Sequence, residues 1–192
     1  MATADDAHSA SGMSGIASHP LFSVVTPVFN APAALFERCA ASVQAQTLSG
    51  WEWILVDDGS SDQSTVSLLN TLERSKDARI RVLRRSQNGG IVVATNDGLA
   101  AARGEWIALL DHDDELVVDA LETFAGVIES ISDVDLLYSD EEMCAMDGNV
   151  LERFQKPAWS PTRLRSQMYT GHLSAYRREL VEAVGGFDQQ FN

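Results

Sequence analysis

EWIALLDHDDEL, residues 105–116, runs from an apolar segment straight into four acids within five positions. Burying a carboxylate beside a strand is costly unless it is paired. Acids placed there either cap a helix or hold a cation. Asp111 and Asp113, one residue apart at a strand end, can face the same small volume. Two carboxylates plus substrate phosphates suit Mg²⁺ or Mn²⁺, which prefer hard oxygen donors and retain water. The competing reading is that Asp113 or Asp114 caps a helix starting near Glu115, with the acids favoured by the helix dipole. Both hold together if Asp114 caps while Asp111 and Asp113 bind metal.

Outward from this stretch the chain alternates apolar runs with helical patterns. FSVVTPVFN (22–30), WEWILVDDGSSD (51–62), RIRVLRR (79–85) and EWIALLD (105–111) read as strands, the apolar ones as buried. Helices are expected over 34–46, over 64–76 behind a cap at Ser60, Ser61 or Asp62, over 91–103 and over 114–130. VDLLYSDEEM (134–143) reads as a further strand ending in acids. From about 150 the pattern loosens: ERFQKPAWSPTRLRSQMYTGH suits a folded-over loop or a substrate-facing segment, and RRELVEAVGGF a short helix stopped by Gly185 and Gly186. The fold class is therefore α/β, a Rossmann-like, mostly parallel sheet flanked by helices on both faces. Ligands bind such sheets at the carboxyl ends of the strands. Asn30, Asp57, Asp58, Asp111, Asp113, Asp140, Glu141 and Glu142 all fall at or just beyond expected strand ends, so one rim collects the acids.

The 192 residues fit one α/β domain with a sizeable core. Residues 1–19, small and polar, read as a disordered leader and not a secretory signal; 20–192 read as the folded domain. No apolar run approaches the roughly 20 residues needed to span a bilayer. Cys39 and Cys144 form neither a disulfide framework nor a metal spacing, which makes a reducing compartment the default. A net charge of −14 repels nucleic acid and free phosphorylated substrates alike. An anionic ligand would need a local cation.

Five elements occur in order: VVTPVFN, ILVDDGSSD, NGGIVVATNDG, ARGEWIALLDHDDEL and GHLSAYRRELVEAVGGFD. Together they resemble the family 2 glycosyltransferases of the GT-A fold, over roughly residues 22–192. The resemblance implies a nucleotide-binding set of Pro27, Val28, Phe29, Asn30, Asp58, Asn96 and Asp111. Phe29 would lie against the base, although core packing explains it equally. Asp58 would accept the ring N3–H of uracil or thymine, against the rival reading of plain turn chemistry. Asp111 and Asp113 match the family's D-x-D pair, whose Mn²⁺ or Mg²⁺ would bridge the diphosphate and stabilise the leaving group. Asp57, His172 and Arg103 are further candidates around the site, and His112 has a bland role. Many members carry an arginine where this chain has Thr95. The diphosphate's charge partner is thus open among Arg84, Arg85 and Arg103, each of which also suits solvated surface.

The resemblance further implies an inverting transferase moving a sugar from a nucleoside diphosphate donor, UDP- or dTDP-linked, to a glycan or lipid-linked acceptor in cell-envelope polysaccharide synthesis. Such an enzyme needs a carboxylate base. Its place in the family pattern lies beyond Asn192, so the domain is expected to be incomplete at its C-terminus and part of a longer protein. The expected setting is the cytoplasm or the inner face of the membrane. The alternative is a non-catalytic nucleotide-sugar-binding module of a multidomain polymerase. A nucleotidyltransferase would want a glycine- and lysine-rich phosphate loop that TPVFNAPAAL lacks, and a dehydrogenase a G-x-G-x-x-G after the first strand.

Overall fold

The computed structural model describes residues 19–191. The leader read at 1–19 therefore lies, but for His19, outside the described residues. Four parallel strands, β1 (Phe22–Val28), β2 (Trp51–Asp57), β3 (Ile80–Arg84) and β4 (Trp106–Leu109), pair in the order β3-β2-β1-β4. The sheet continues through β8 (Ser174–Arg177), antiparallel to β4, to β5 (Leu136–Tyr138) at the edge. β2 is buried at every position, as a central parallel strand must be when both faces are covered.

Alternation along β2 divides the core. Trp53 and Leu55 join the larger apolar cluster with Phe36 and Cys39 of α1 (Ala33–Gln44), Leu69 of α2 (Gln63–Arg74) and Leu121 and Phe124 of α4 (Ala120–Ser130). Ile54 and Val56 point the other way, onto Ala94 of α3 (Ile91–Ala101). Gly98 lets α3 lie this close: a Cβ there would overlap Val25 Cγ1 and press on Val56 Cγ2 at 3.2 Å. Helices cover both faces, as expected. Asp62 supplies the cap of α2, its carboxylate accepting from Thr65 N–H at 2.9 Å.

Three expectations are corrected. The helix read over 114–130 begins only at Ala120, and Asp114 caps nothing: its N–H closes a turn onto Asp111 O at 3.2 Å. The strand read over 134–143 breaks at Ser139–Asp140. β5 stays in the main sheet, while Glu141 and Glu142 open β6 (Glu141–Cys144), which pairs with β7 (Val150–Phe154) as a separate antiparallel hairpin. The loop expected from 150 is thus partly strand, and its exposed positions carry no period-2 apolar pattern to announce it. Beyond the hairpin come α5 (Pro161–Leu164) and, after β8, α6 (Arg178–Val184), which stops at Gly185 in the left-handed region (φ 80°). No helix among the described residues is long and apolar enough to cross a membrane.

Candidate active site

The carboxyl ends of β1, β2 and β4 open onto a cleft of ≈ 490 Å³. Pro27, Val28 and Phe29 enter it from the end of β1, and Asp58 from the end of β2. Asn88, Gly90, Ile91 and Ala94 line it from the start of α3, and Asp111, His112 and Asp113 from the loop after β4. Phe29 and Ile91 keep 45% and 57% of their surface exposed, an unusual share for large apolar side chains beside a pocket. No lysine or arginine among the described residues lines this cleft, yet three carboxylates do. A smaller hollow of ≈ 220 Å³ shares Pro27, Ile91 and Asp111 with it.

Asp58 is buried, and its oxygens are already engaged. They accept from Gly89 N–H (2.9 and 3.1 Å) and Gly90 N–H (2.8 Å), and Arg85 Nε stands 2.7 Å away. The carboxylate therefore fixes the glycine turn that leads into α3. Arg85 continues from Asp58 to Asp97.

The acid loop is held from beneath by α1. Cys39 Sγ lies 3.6 Å from Asp111 O, Ser42 Oγ accepts from Leu116 N–H at 3.1 Å, and Arg38 pairs with Glu115 at 2.5 Å. Cys39, Ser42 and Arg38 lie within about one helical turn of one another, so one stretch of helix meets the loop at three points. Burial pushes the Cys39 thiol far up, and the carboxylates of Asp114, Asp113, Glu115 and Asp111 push it further. His112, which also lines the cleft, has its Nδ1 3.2 Å from Pro27 O.

Asp111, Asp114 and His172 bring one ligand atom each within 4.8 Å of one another. His172 Nδ1 lies 2.7 Å from Asp114 Oδ2 and its Nε2 3.7 Å from Asp111 Oδ2. A proton on Nδ1 given to Asp114 leaves the Nε2 lone pair beside Asp111. Burial raises the pKa of Asp111, the neighbouring Asp114 and Asp113 add to that, and His172 offsets part of it. The hydrogen bond to Asp114 raises that of His172, against desolvation, with Asp114 and Asp111 charges adding to the rise. Asp114, read as a helix cap, is thus one of the residues that the sequence reading misplaced. Its spacing from Asp111, three positions across a tight turn, is the signal that could have found it.

Several expected site residues face elsewhere. Asn30 Oδ1 accepts from Ser61 and Asp62 N–H, closing the loop before α2. Asp57 accepts from Ser60 N–H at 2.9 Å and pairs with Arg84 at 3.1 Å. Asn96 clamps the backbone of Phe187 through both carboxamide atoms, at 2.8 and 2.9 Å. Ile91 and Ala94 face the cleft one helical turn apart, which turns position 96 away from it. Arg103 grips the buried Glu52 at the amino ends of β1 and β4, a full strand length from the cleft.

The sequence profile of glycosyl transferase family 2 matches residues 23–185. The chain belongs to glycosyl transferase family 2. It is 38% identical over 177 residues to the O-antigen biosynthesis protein RfbC of Myxococcus xanthus, covering 92% of this chain and 14% of that protein. It is 36% identical over 135 residues to the putative teichuronic acid biosynthesis glycosyltransferase TuaG of Bacillus subtilis, covering 70% of this chain and 52% of TuaG. The mannosyltransferase PcManGT of Pyrobaculum calidifontis, solved with GDP-Man and Mn²⁺, superposes with a TM-score of 0.65 at 21% identity, over 90% of this chain and 48% of that one. These likenesses establish the GT-A fold. The chain spans only a part of each of these relatives, from 14% to 52% of their length.

Proposed function

We propose that this family member binds a nucleoside diphosphate sugar together with Mn²⁺ or Mg²⁺ and serves an inverting glycosyltransferase. The sugar would pass to a glycan or lipid-linked acceptor of a cell-envelope polysaccharide, in the cytoplasm or at the inner face of the membrane. One observation carries the reading: the cleft is lined by three carboxylates and by no lysine or arginine among the described residues, and of the three only Asp58 is paired with an arginine, Arg85. A diphosphate entering it, in a protein of net charge −14, needs a cation. Asp111, Asp114 and His172, whose ligand atoms lie within 4.8 Å of one another, fit one, and Asp113 lines the cleft outside that set. Asp111 and His172 Nε2 would bind directly, Asp113 would add the second carboxylate of the D-x-D pair, and Asp114 would orient the imidazole through Nδ1, as carboxylates behind metal-bound histidines do. An imidazole beside carboxylates favours Mn²⁺ over Mg²⁺. When bound, the ion would offset charge developing on the departing nucleoside diphosphate. Phe29 and Ile91 offer apolar surface to a base. A uracil or thymine N3–H bonded to Asp58 would join donors already there, so the choice of base calls for a direct comparison. The catalytic base is proposed to lie outside the residues that line this cleft.

Thermal unfolding with UDP, dTDP and GDP, each with and without Mn²⁺, tests the reading. We expect stabilisation by UDP or dTDP that requires Mn²⁺ and is lost in Asp111→Ala and Asp113→Ala. Equal stabilisation of both variants, or none of the wild type by any nucleotide, would remove the donor-site assignment.

A further inference from the structure

Lys156 is a buried cation that the proposed chemistry does not use. Its side chain is 1% exposed, which is rare for lysine unless it is paired. Nζ donates to the backbone carbonyl of His172 at 2.5 Å and lies 3.0 Å from Glu141 Oε2. Its backbone N–H donates to Asp140 Oδ1 at 2.8 Å. The next turns are tied down as well: Tyr138 hydroxyl donates to Pro157 O at 2.8 Å, and Ser160 N–H donates to the Tyr169 hydroxyl at 2.8 Å. The segment after the β6–β7 hairpin is therefore strapped across the residues that lead into His172. At the other end of the same hairpin Arg38 donates to Met146 O at 3.2 Å while pairing with Glu115 of the acid loop.

We propose that Lys156 is a positioning residue for His172: by holding that residue's carbonyl it fixes where the imidazole stands over Asp111. The proposal rests on the reading of His172 as a metal ligand. His172 lies on an irregular segment before β8, and its ring is half-exposed. Its side chain is held by Asp114 and its main chain by Lys156. Removing the Nζ contact leaves Asp114 to orient a ring whose backbone can drift, and ligands misplaced in this way bind metal more weakly. Glu141 is partly exposed, so loss of its partner leaves no buried bare charge.

Mn²⁺ binding to the full 192-residue chain, measured by titration calorimetry in the presence of UDP, tests this. Wild type, Lys156→Met, Lys156→Arg, His172→Ala and the Lys156→Met/His172→Ala double variant are compared. We expect Mn²⁺ affinity to fall by about 10- to 100-fold in Lys156→Met, to recover most of that in Lys156→Arg, and to be no weaker in the double variant than in His172→Ala. That lack of additivity is what action through His172 requires and a general loss of stability would not give. Wild-type affinity in Lys156→Met, or additive losses in the double variant, would overturn the proposal while leaving the metal site standing. Absence of Mn²⁺ binding to the wild type would overturn the metal site itself. If Lys156→Met loses its far-UV circular dichroism, Lys156→Gln takes its place in the cycle and is judged by the same additivity.

Discussion

The two halves of the sheet are built on different terms. On the β3-β2-β1-β4 side, parallel strands are sealed between helices, and the polar groups within reach are spent on the fold itself: Glu52 on Arg103 and Arg81, Asp57 on Arg84, Asp58 on the glycine turn. On the β8-β5 side the strands are short, and the adjoining hairpin exposes Met143, Val150 and Leu151. There, single cations and hydroxyls strap loops together. The first half supplies a rigid platform; the second brings His172 over it. The strand ends and the loops that follow them line the cleft, and an irregular segment carries the histidine proposed to meet a ligand.

The contrast can be broken most sharply by core truncation. Trp53 is fully buried and its indole N–H donates to Thr26 Oγ1 at 2.9 Å. Trp53→Ala is expected to destabilise the chain by about 3–5 kcal/mol in urea unfolding. Leu151→Ala, on the exposed hairpin, should change stability by no more than about 0.5 kcal/mol. Comparable losses at the two positions would mean that the hairpin belongs to the cooperative core.

Glycines offer a finer version of the same comparison. Gly98→Ala inserts a methyl between α3 and the Val25–Val56 surface, with an expected cost of about 1–3 kcal/mol. Gly148, in the hairpin turn at φ 85°, has nothing within 4 Å of an added Cβ. Gly148→Asn, which tolerates that conformation, should cost less than about 0.5 kcal/mol. The same unfolding experiments rank the two, and a larger loss at 148 would reverse the reasoning.

The same division governs how far the sequence could be read. Continuous apolar runs disclosed three of the parallel strands and an alternation with arginines the fourth, RIRVLRR, and the cap of α2, left open among Ser60, Ser61 and Asp62, is Asp62. The acid-bearing rim followed from where those runs stop. Asn96 and Arg103 were misplaced because a linear motif does not say which helical face or which strand end a residue occupies. Asp114 was misread because it sits on irregular backbone, where neither 3.6 nor 2.0 periodicity applies, and Glu141 because its strand pairs with β7 in a separate hairpin and does not continue β5. Lys156 left no signal at all: a lysine between glutamine and proline looks solvated until the strap folds over it.

The histidine that bridges the two halves gives opposite responses to pH, depending on what occupies the site. Its pKa is raised above the ordinary 6.5, chiefly by the hydrogen bond to Asp114. Without metal, the His172–Asp114 pair contributes stability that is complete below the unfolded-state pKa and is lost as pH rises through the raised folded value. Because both side chains are about half-exposed, that loss is small. Metal bound as proposed would reverse the sign, since Nε2 would bind a cation only when unprotonated. Mn²⁺ affinity is therefore expected to rise several-fold between about pH 6 and about pH 8, while the metal-free melting temperature falls slightly over the same interval. Calorimetric titration and thermal unfolding at matched pH read the two slopes, and His172→Ala should flatten both. If the metal slope persists in that variant, the proton competing with the cation is not the imidazole's, and the histidine would then stand beside the site as a spectator.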